Sequence, residues 1–366
     1  MHNFYPEKIY VDKKVASNPL TIKILKEFSS VPAQYLEKSK EVVDEVCRLA
    51  FPVNEGKKRL FITKKKDGFL KKCPGTSGHI CCGYRILSPV TGCPLDCTYC
   101  ILQNYLSNNP VITLFVNIDD LLNDVKKAIR SNPDRFYRIG TGELADSLAL
   151  EEVSGLSKLL VSFFARQKNA VLELKTKTSW IDSLLSLSHN RRTIISWSLN
   201  SRPIIESEEN GAVSLEERIK AALVCQEAGY PLSFHFDPLI EYPVWEKDYK
   251  EVVKLLFGSI RPENIAWISL GALRFMPGLK PIIEKRFPSS SIIYGEFITG
   301  LDGKCRYFKP IRVQLYRKLL SYIREYGGDV FVYLCMESKD VWQKVFGNSC
   351  QSSSHLASLL DERVKQ

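Results

Sequence analysis

The chain has 366 residues, 45% hydrophobic and 25% charged, which excludes a disordered or fibrous protein and suits one large α/β domain with an appendage. Lysine and arginine outnumber aspartate and glutamate by 51 to 41, and the resulting +10 favours phosphate-bearing partners without naming one. The start, "MHNFYPEKIYVDKK", carries no signal-peptide run, and no stretch of about 18 apolar residues is free of charge, so we expect a cytoplasmic protein without a membrane span, its eleven cysteines being thiols or metal ligands.

Residues 1–80 show little of the strand and helix alternation that follows. Within them "EGKKRLFITKKKDGFLKKC" places Lys57, Lys58, Arg59, Lys64, Lys65, Lys66, Lys71 and Lys72 against two acids. Such a segment reads either as a face for a phosphate backbone or as a solvated hairpin. The pattern changes between Lys72 and Gly83, which divides the chain into an N-terminal extension with a basic segment (1–80), a central α/β unit (81–290) and a small C-terminal α+β region with a tail (291–366).

Candidate strands follow at Tyr84 to Pro89, Val111 to Val116, Phe136 to Gly140, Ala170 to Lys175, Thr193 to Leu199, Leu232 to Asp237 and Ile265 to Leu270. Amphipathic helices separate most of them, such as "DDLLNDVKKAIRS" opened by Asp119 and "SLEERIKAALVCQEAG" opened by Ser214 and closed by Gly229. Strands separated by helices of this length pair in parallel through right-handed crossovers, and about six units predict a partial (β/α)6 barrel. Its chemistry belongs at the C-terminal ends of the strands. Beyond residue 290 the alternation breaks: "GEFITGLDGKCRYFKP" reads as a turn-containing segment, "YRKLLSYIREYG" as a helix and "DVFVYLCMES" as a buried strand. The tail "NSCQSSSHLASLLDERVKQ" reads as loosely held.

After the first candidate strand comes "TGCPLDCTYCILQ", with Cys93, Cys97 and Cys100. A closed zinc site wants four ligands, and only Cys97 and Cys100 form a close pair, so zinc would have to borrow Cys73, Cys81 or Cys82 from "CPGTSGHICC". A cubane iron–sulfur cluster on three thiolates instead leaves one iron open. The spacing of the three cysteines, with Tyr99 directly before the last, resembles the radical S-adenosylmethionine superfamily. That resemblance implies a 4Fe-4S cluster, S-adenosyl-L-methionine chelated at the open iron, and its reductive cleavage to a 5'-deoxyadenosyl radical.

Further candidates sit at predicted strand ends. "GTGE", with Gly140, Gly142 and Glu143, looks like the superfamily segment that receives the methionine amino group; glycine lets backbone approach a ligand and a carboxylate suits an ammonium. Lys177 is a candidate for the cofactor carboxylate, and Ser198 and Asn200 for the ribose, against ordinary capping roles. Ser233, His235 and Asp237 in "PLSFHFDP" share one face by alternation, and polar groups facing a barrel lumen are costly unless something polar meets them. His235 and Asp237 therefore either line a cofactor site or form a structural pair.

Across most of its length the chain resembles the spore photoproduct lyase-like family, through "FYPEKIYVDKKVASNPL", "VTGCPLDCTYCILQNYL", "VNIDDLL", "HNRRTIISWSLN", "EAGYPLSFHFDP" and "LRFMPGLK". The resemblance implies a lyase repairing thymine photodamage in DNA, with damaged DNA as partner and a reducing electron donor such as flavodoxin or ferredoxin. From about Tyr294 onward the chain looks like a different branch. The family's hydrogen-donor cysteine corresponds to Gly140, and a tyrosine of its hydrogen relay to Ile101; Tyr99 is retained as a catalytic candidate. Cys335 and Cys305 are candidate replacement donors, and Cys81 and Cys82 candidates for a redox or second metal role. Two other readings stay open: the same radical chemistry on an RNA, peptide or small molecule, and a non-catalytic zinc protein that binds nucleic acid.

Overall fold

The computed structural model describes residues 4–347, 350 and 352–365. An eight-stranded sheet, curled into a half-barrel, runs in the order Val332–Leu334, Ile265–Ala272, Leu232–Leu239, Thr193–Ser198, Ala170–Thr176, Tyr137–Gly140, Arg85–Leu87 and Leu70–Lys72. Neighbours pair in parallel except Leu70–Lys72, which lies antiparallel on the edge. Six parallel strands between residues 85 and 272 give the partial (β/α)6 barrel expected from the alternation. The apolar strand near the C-terminus, Val332–Leu334, joins as a seventh.

The two faces of this sheet differ in chemistry. Leu172, Leu174, Ile195, Trp197, Phe234, Phe236, Ile268 and Leu270 belong to the main apolar core with residues of the surrounding helices. The register places the alternate residues together on the other face: Gly140 beside Glu173, Lys175 beside Ser196, Ser198 beside His235, and His235 beside Ser269, which neighbours Tyr333. Parallel strands are normally apolar on both faces. The polar inner face, read in part from Ser233, His235 and Asp237, marks the lumen as a place where polar groups meet.

One strand lies elsewhere. Val111 to Val116 is expected in the barrel, but Ile112–Phe115 pairs with Arg59–Thr63 in a separate five-stranded sheet ordered Ala33–Leu36, Lys8–Asp12, Arg59–Thr63, Ile112–Phe115 and Val90–Thr91. The physical reason is a partner with its own apolar face: Ile9, Val11, Leu60, Ile62, Ile112 and Leu114 close a second core with Ile24 and Phe28. The chain therefore crosses between the two sheets on either side of the cysteine loop, and the basic segment at 57–72 belongs to both.

The helix expected to open at Asp119 is Ile118–Ser131, preceded by Asn117, whose side chain bonds both the N–H and the C=O of Lys65. The second helix, Leu215–Glu227, has the expected start, a capping box between Ser214 and Glu217, and Gly229 follows it at φ +85°. The described part of the tail is held: Ser353–Glu362 is a helix that buries Leu356 and Leu360, and its Asp361 accepts from Arg138 Nε at 2.7 Å, while 348, 349, 351 and 366 lie outside the described residues. Serine at 352 caps that helix rather than loosening it, accepting from the His355 N–H.

Candidate active site

The cysteine loop leaves the small sheet at Val90–Thr91 and turns at Gly92, φ +87°, where a Cβ would lie 3.1 Å from the Ile112 Cα. Asp96–Cys97 then pairs antiparallel with Glu209–Asn210, fixing the middle of the loop against the end of the helix Arg202–Glu208. Lys57 Nζ donates to the carbonyl oxygens of Cys93 at 2.8 Å and Leu95 at 2.6 Å and lies 3.5 Å from the Asp96 carboxylate. Arg286 binds both Asp96 oxygens at 2.8 and 3.0 Å, and Gln103 Nε2 donates to the carbonyls of Cys97 and Thr98. Backbone carbonyls that would otherwise face an apolar interior are thus satisfied by a lysine and an amide, while a second cation holds the loop's carboxylate.

The thiols themselves are free, and Cys97 is buried. Burial pushes the Cys93 thiol up to about 12 and the Cys97 thiol well above its ordinary value, Lys177 pulling the latter back only in part. Such thiols keep their protons until a cationic group takes them as thiolates. Among the described residues no group of three or more His, Cys, Asp or Glu side chains is preassembled around a single point. Three free thiols on one loop are the donor chemistry that an iron–sulfur cluster would take.

Within this loop Tyr99 has its hydroxyl committed to Glu209 in a short hydrogen bond, and Lys177 Nζ lies 5.7 Å from its ring centroid. Glu209 also pairs with the fully buried Arg218 and lies 3.6 Å from Lys177 Nζ. Burial would raise the Glu209 carboxyl, but Arg218 and then Lys177 outweigh it and hold it below the usual carboxylate range. Tyr99 and Lys177, both expected to meet the cofactor, are thus joined in a network that supports the loop. Asn200, a ribose candidate, has partners of its own: its oxygen accepts from Tyr249 at 2.6 Å and its amide donates to the Pro238 carbonyl. Ser198 faces the lumen beside His235.

At the end of the strand Tyr137–Gly140, "GTGE" folds over the C-terminal rim. Thr141 bonds Ser147, and Asp146 gathers the N–H groups of Leu148, Ala149 and Lys177 with the Thr176 hydroxyl. A Cβ on Gly142 would lie 2.8 Å from the Lys175 Cβ, so glycine permits this close approach. Glu143 is half-buried and has no hydrogen-bond or ion-pair partner among the described residues.

Below it, Glu173 collects His235 Nε2 at 2.8 Å, Ser196 Oγ at 2.7 Å and Ser233 Oγ at 3.1 Å. Burial works to raise this carboxyl, yet His235 and Ser196 with Lys175 outweigh it and hold it at about 2. Asp237 meets Arg274 through two bonds of 3.0 and 3.2 Å, and a Cβ on Gly271 would strike that carboxylate at 2.6 Å. Arg274 Nη2 also donates to Cys335 Sγ at 3.6 Å. The Lys175 ammonium has no hydrogen-bond or ion-pair partner among the described residues; burial opposes its charge, and Glu143, Glu173 and Asp237 overcome that and raise its pKa.

A family model described as "Spore photoproduct lyase" matches residues 4–299. The chain belongs to the spore photoproduct lyase family. Spore photoproduct lyase of Clostridium acetobutylicum is 25% identical over 311 residues, covering 84% of this chain and 88% of the relative. That of Geobacillus sp. is 25% identical over 294 residues, covering 80% and 85%. A solved spore photoproduct lyase mutant with bound AdoMet and dinucleoside spore photoproduct superposes with a TM-score of 0.81 at 22% identity, over 91% of this chain and all of the other, which shows the shared fold. The match of the family model stops at residue 299.

Within this spore photoproduct lyase fold, sequence reasoning missed Glu173, Lys175, Arg274 and Lys57. Glu173 and Lys175 were legible in principle, because "LELK" alternates as "SFHFD" does. Arg274 carries no local signal, since only the pairing of Arg274–Phe275 with Cys305–Arg306 turns it inward. Tyr84, also missed, lies with its hydroxyl over Gly140: a Cβ there would fall 1.6 Å from Oη.

Proposed function

We propose that this member of the spore photoproduct lyase family is a radical S-adenosylmethionine lyase that reverses a thymine lesion in DNA. The observation that carries the reading is the placement of three free thiols on a strapped loop beside a lumen whose rim holds a carboxylate, Glu143, with no hydrogen-bond or ion-pair partner among the described residues. Cys93, Cys97 and Cys100 would hold the 4Fe-4S cluster, and Glu143 would receive the cofactor's ammonium. Held there, the cluster and S-adenosylmethionine would supply hydrogen-abstraction chemistry, given a low-potential electron donor of the flavodoxin or ferredoxin kind. The chain's own part is to orient and to exclude water: Lys175 offers a charge to a carboxylate, and Glu173, His235, Asp237 and Arg274 keep the lumen polar yet internally paired.

DNA as the partner is supported by the names of the relatives and by two surfaces. Lys64, Lys66, Lys71 and Lys72 are exposed and enter no ion pair among the described residues, whereas Lys57 and Arg59 of the same segment are spent on the loop and on Glu55. The hairpin Phe297–Thr299 and Cys305–Tyr307 stands at the C-terminal end of the strand Ile265–Ala272, with Leu301 fully exposed at its tip. An apolar tip beside a lumen suits entry between stacked bases when a lesion is drawn out of the helix. Among the described residues no helix is long and apolar enough to cross a membrane. Anaerobic reconstitution followed by gel shift tests the reading: iron-loaded protein should bind irradiated duplex with an affinity that falls as salt rises. Binding that is absent at every salt concentration would remove DNA as the partner.

A further inference from the structure

We infer that Tyr84 is the hydrogen-atom donor that ends the reaction, its phenol occupying the place in the lumen that a side chain at position 140 would fill. The inference rests on the radical lyase reading above. Chemistry that starts by abstracting hydrogen leaves an odd electron on the substrate. Among protein side chains, thiols and phenols have X–H bonds weak enough to quench a carbon radical directly.

Tyr84 precedes the strand Arg85–Leu87, whose Ile86 is the register partner of Gly140, so alternation puts Tyr84 on the inner face. Its ring rises along the lumen until the hydroxyl lies against Gly140, where a Cβ would come within 1.6 Å of Oη and 2.5 Å of Cζ. Any residue other than glycine would have to expel the phenol. The hydroxyl finds no hydrogen-bond partner among the described residues, so its O–H is uncommitted.

Of the other candidates, the Tyr99 hydroxyl is given to Glu209, and the Cys335 sulfur is held as an acceptor by Arg274, which also grips Asp237. Burial, with Glu173 and then Glu143 nearby, holds the Tyr84 hydroxyl well above its ordinary pKa. The phenol therefore keeps the hydrogen it must give.

In the step, the Tyr84 O–H bond breaks homolytically and a C–H bond forms on the substrate. The substrate radical gains one electron and one proton, and Tyr84 becomes a neutral phenoxyl radical. One electron from the iron–sulfur or flavin donor that the reaction already requires, with one proton from water, returns the phenol.

The test compares wild type with Tyr84→Phe on lesion-bearing DNA. Wild type should give a substrate-dependent phenoxyl signal in freeze-quench EPR that narrows with ring-deuterated tyrosine. Tyr84→Phe should lose that signal and at least tenfold of its repaired product, with 5'-deoxyadenosine still formed and unrepaired adducts accumulating. In cluster-free protein carrying 3-fluorotyrosine at position 84, Gly140→Ala should shift the fluorine resonance, and an unmoved resonance would contradict the placement. Undiminished repair by Tyr84→Phe would overturn the role of Tyr84 alone. Cofactor cleavage by wild type without any loss of lesion would overturn the lyase reading and the donor with it.

Discussion

Lys57 Nζ lies 2.8 Å from the carbonyl oxygen of Cys93, so a lysine from the most basic stretch of the chain serves the cysteine loop and not the surface. A charge-assisted bond to a buried carbonyl contributes on the order of 1.5–3 kcal/mol. Lys57→Met should therefore lower iron retention on gel filtration while leaving the salt slope of DNA binding unchanged.

The exposed lysines should behave in the opposite way. Replacing Lys64, Lys66, Lys71 and Lys72 together with glutamine should leave iron content intact and flatten the dependence of DNA affinity on salt, by about one unit of log–log slope for each phosphate that is no longer neutralised. An unchanged slope would place the DNA elsewhere.

Cys93→Ala, Cys97→Ala and Cys100→Ala should each abolish cluster loading, read as loss of the charge-transfer absorbance after reconstitution. A full iron complement in any one of them would remove that residue from the ligand set.

Glu173 links the lumen to stability. Its carboxyl is held at about 2 in the fold, below the usual carboxylate value near 4.3, so the contribution is fully present above the unfolded pKa and is lost as pH falls through the folded one. Denaturant unfolding should show wild type losing stability between about pH 5 and pH 2, by on the order of 3 kcal/mol from this group. Glu173→Gln should flatten that limb, and an identical pH profile would show that Glu173 is not the group responsible.

The C-terminal helix supplies a test of the fold. Asp361→Ala leaves Arg138 buried without its carboxylate partner, a change that costs about 3–5 kcal/mol in comparable pairs. Thermal unfolding should register it as a clear drop in Tm.

The barrel is legible in the sequence because its strands alternate with helices and because Ser233, His235 and Asp237 break an apolar strand at every second residue. The three cysteines are legible from spacing alone. What escapes depends on contacts distant in sequence. Ile112–Phe115 reads as any parallel strand, and only the apolar face offered by Leu60 and Ile62 draws it out of the barrel. Arg218, Glu209, Tyr99 and Lys177 form one network from four separate segments. Serines in the tail suggest disorder, yet Leu356 and Leu360 four residues apart supply the buried stripe that holds the helix. Gly140 reads as a loss at a catalytic position, and the phenol of Tyr84 lying over it, with the Glu173 carbonyl oxygen 2.8 Å from where a Cβ would be, gives the glycine a steric reason.

The most direct measurement is lesion reversal by the anaerobically reconstituted protein, reduced and supplied with S-adenosylmethionine and irradiated thymine-rich DNA, with thymine and 5'-deoxyadenosine quantified together. The expected result is restoration of thymine in irradiated DNA only, accompanied by 5'-deoxyadenosine formation that disappears in Cys97→Ala. Iron-loaded protein that cleaves the cofactor but leaves the thymine lesion at its starting level would contradict the proposed function.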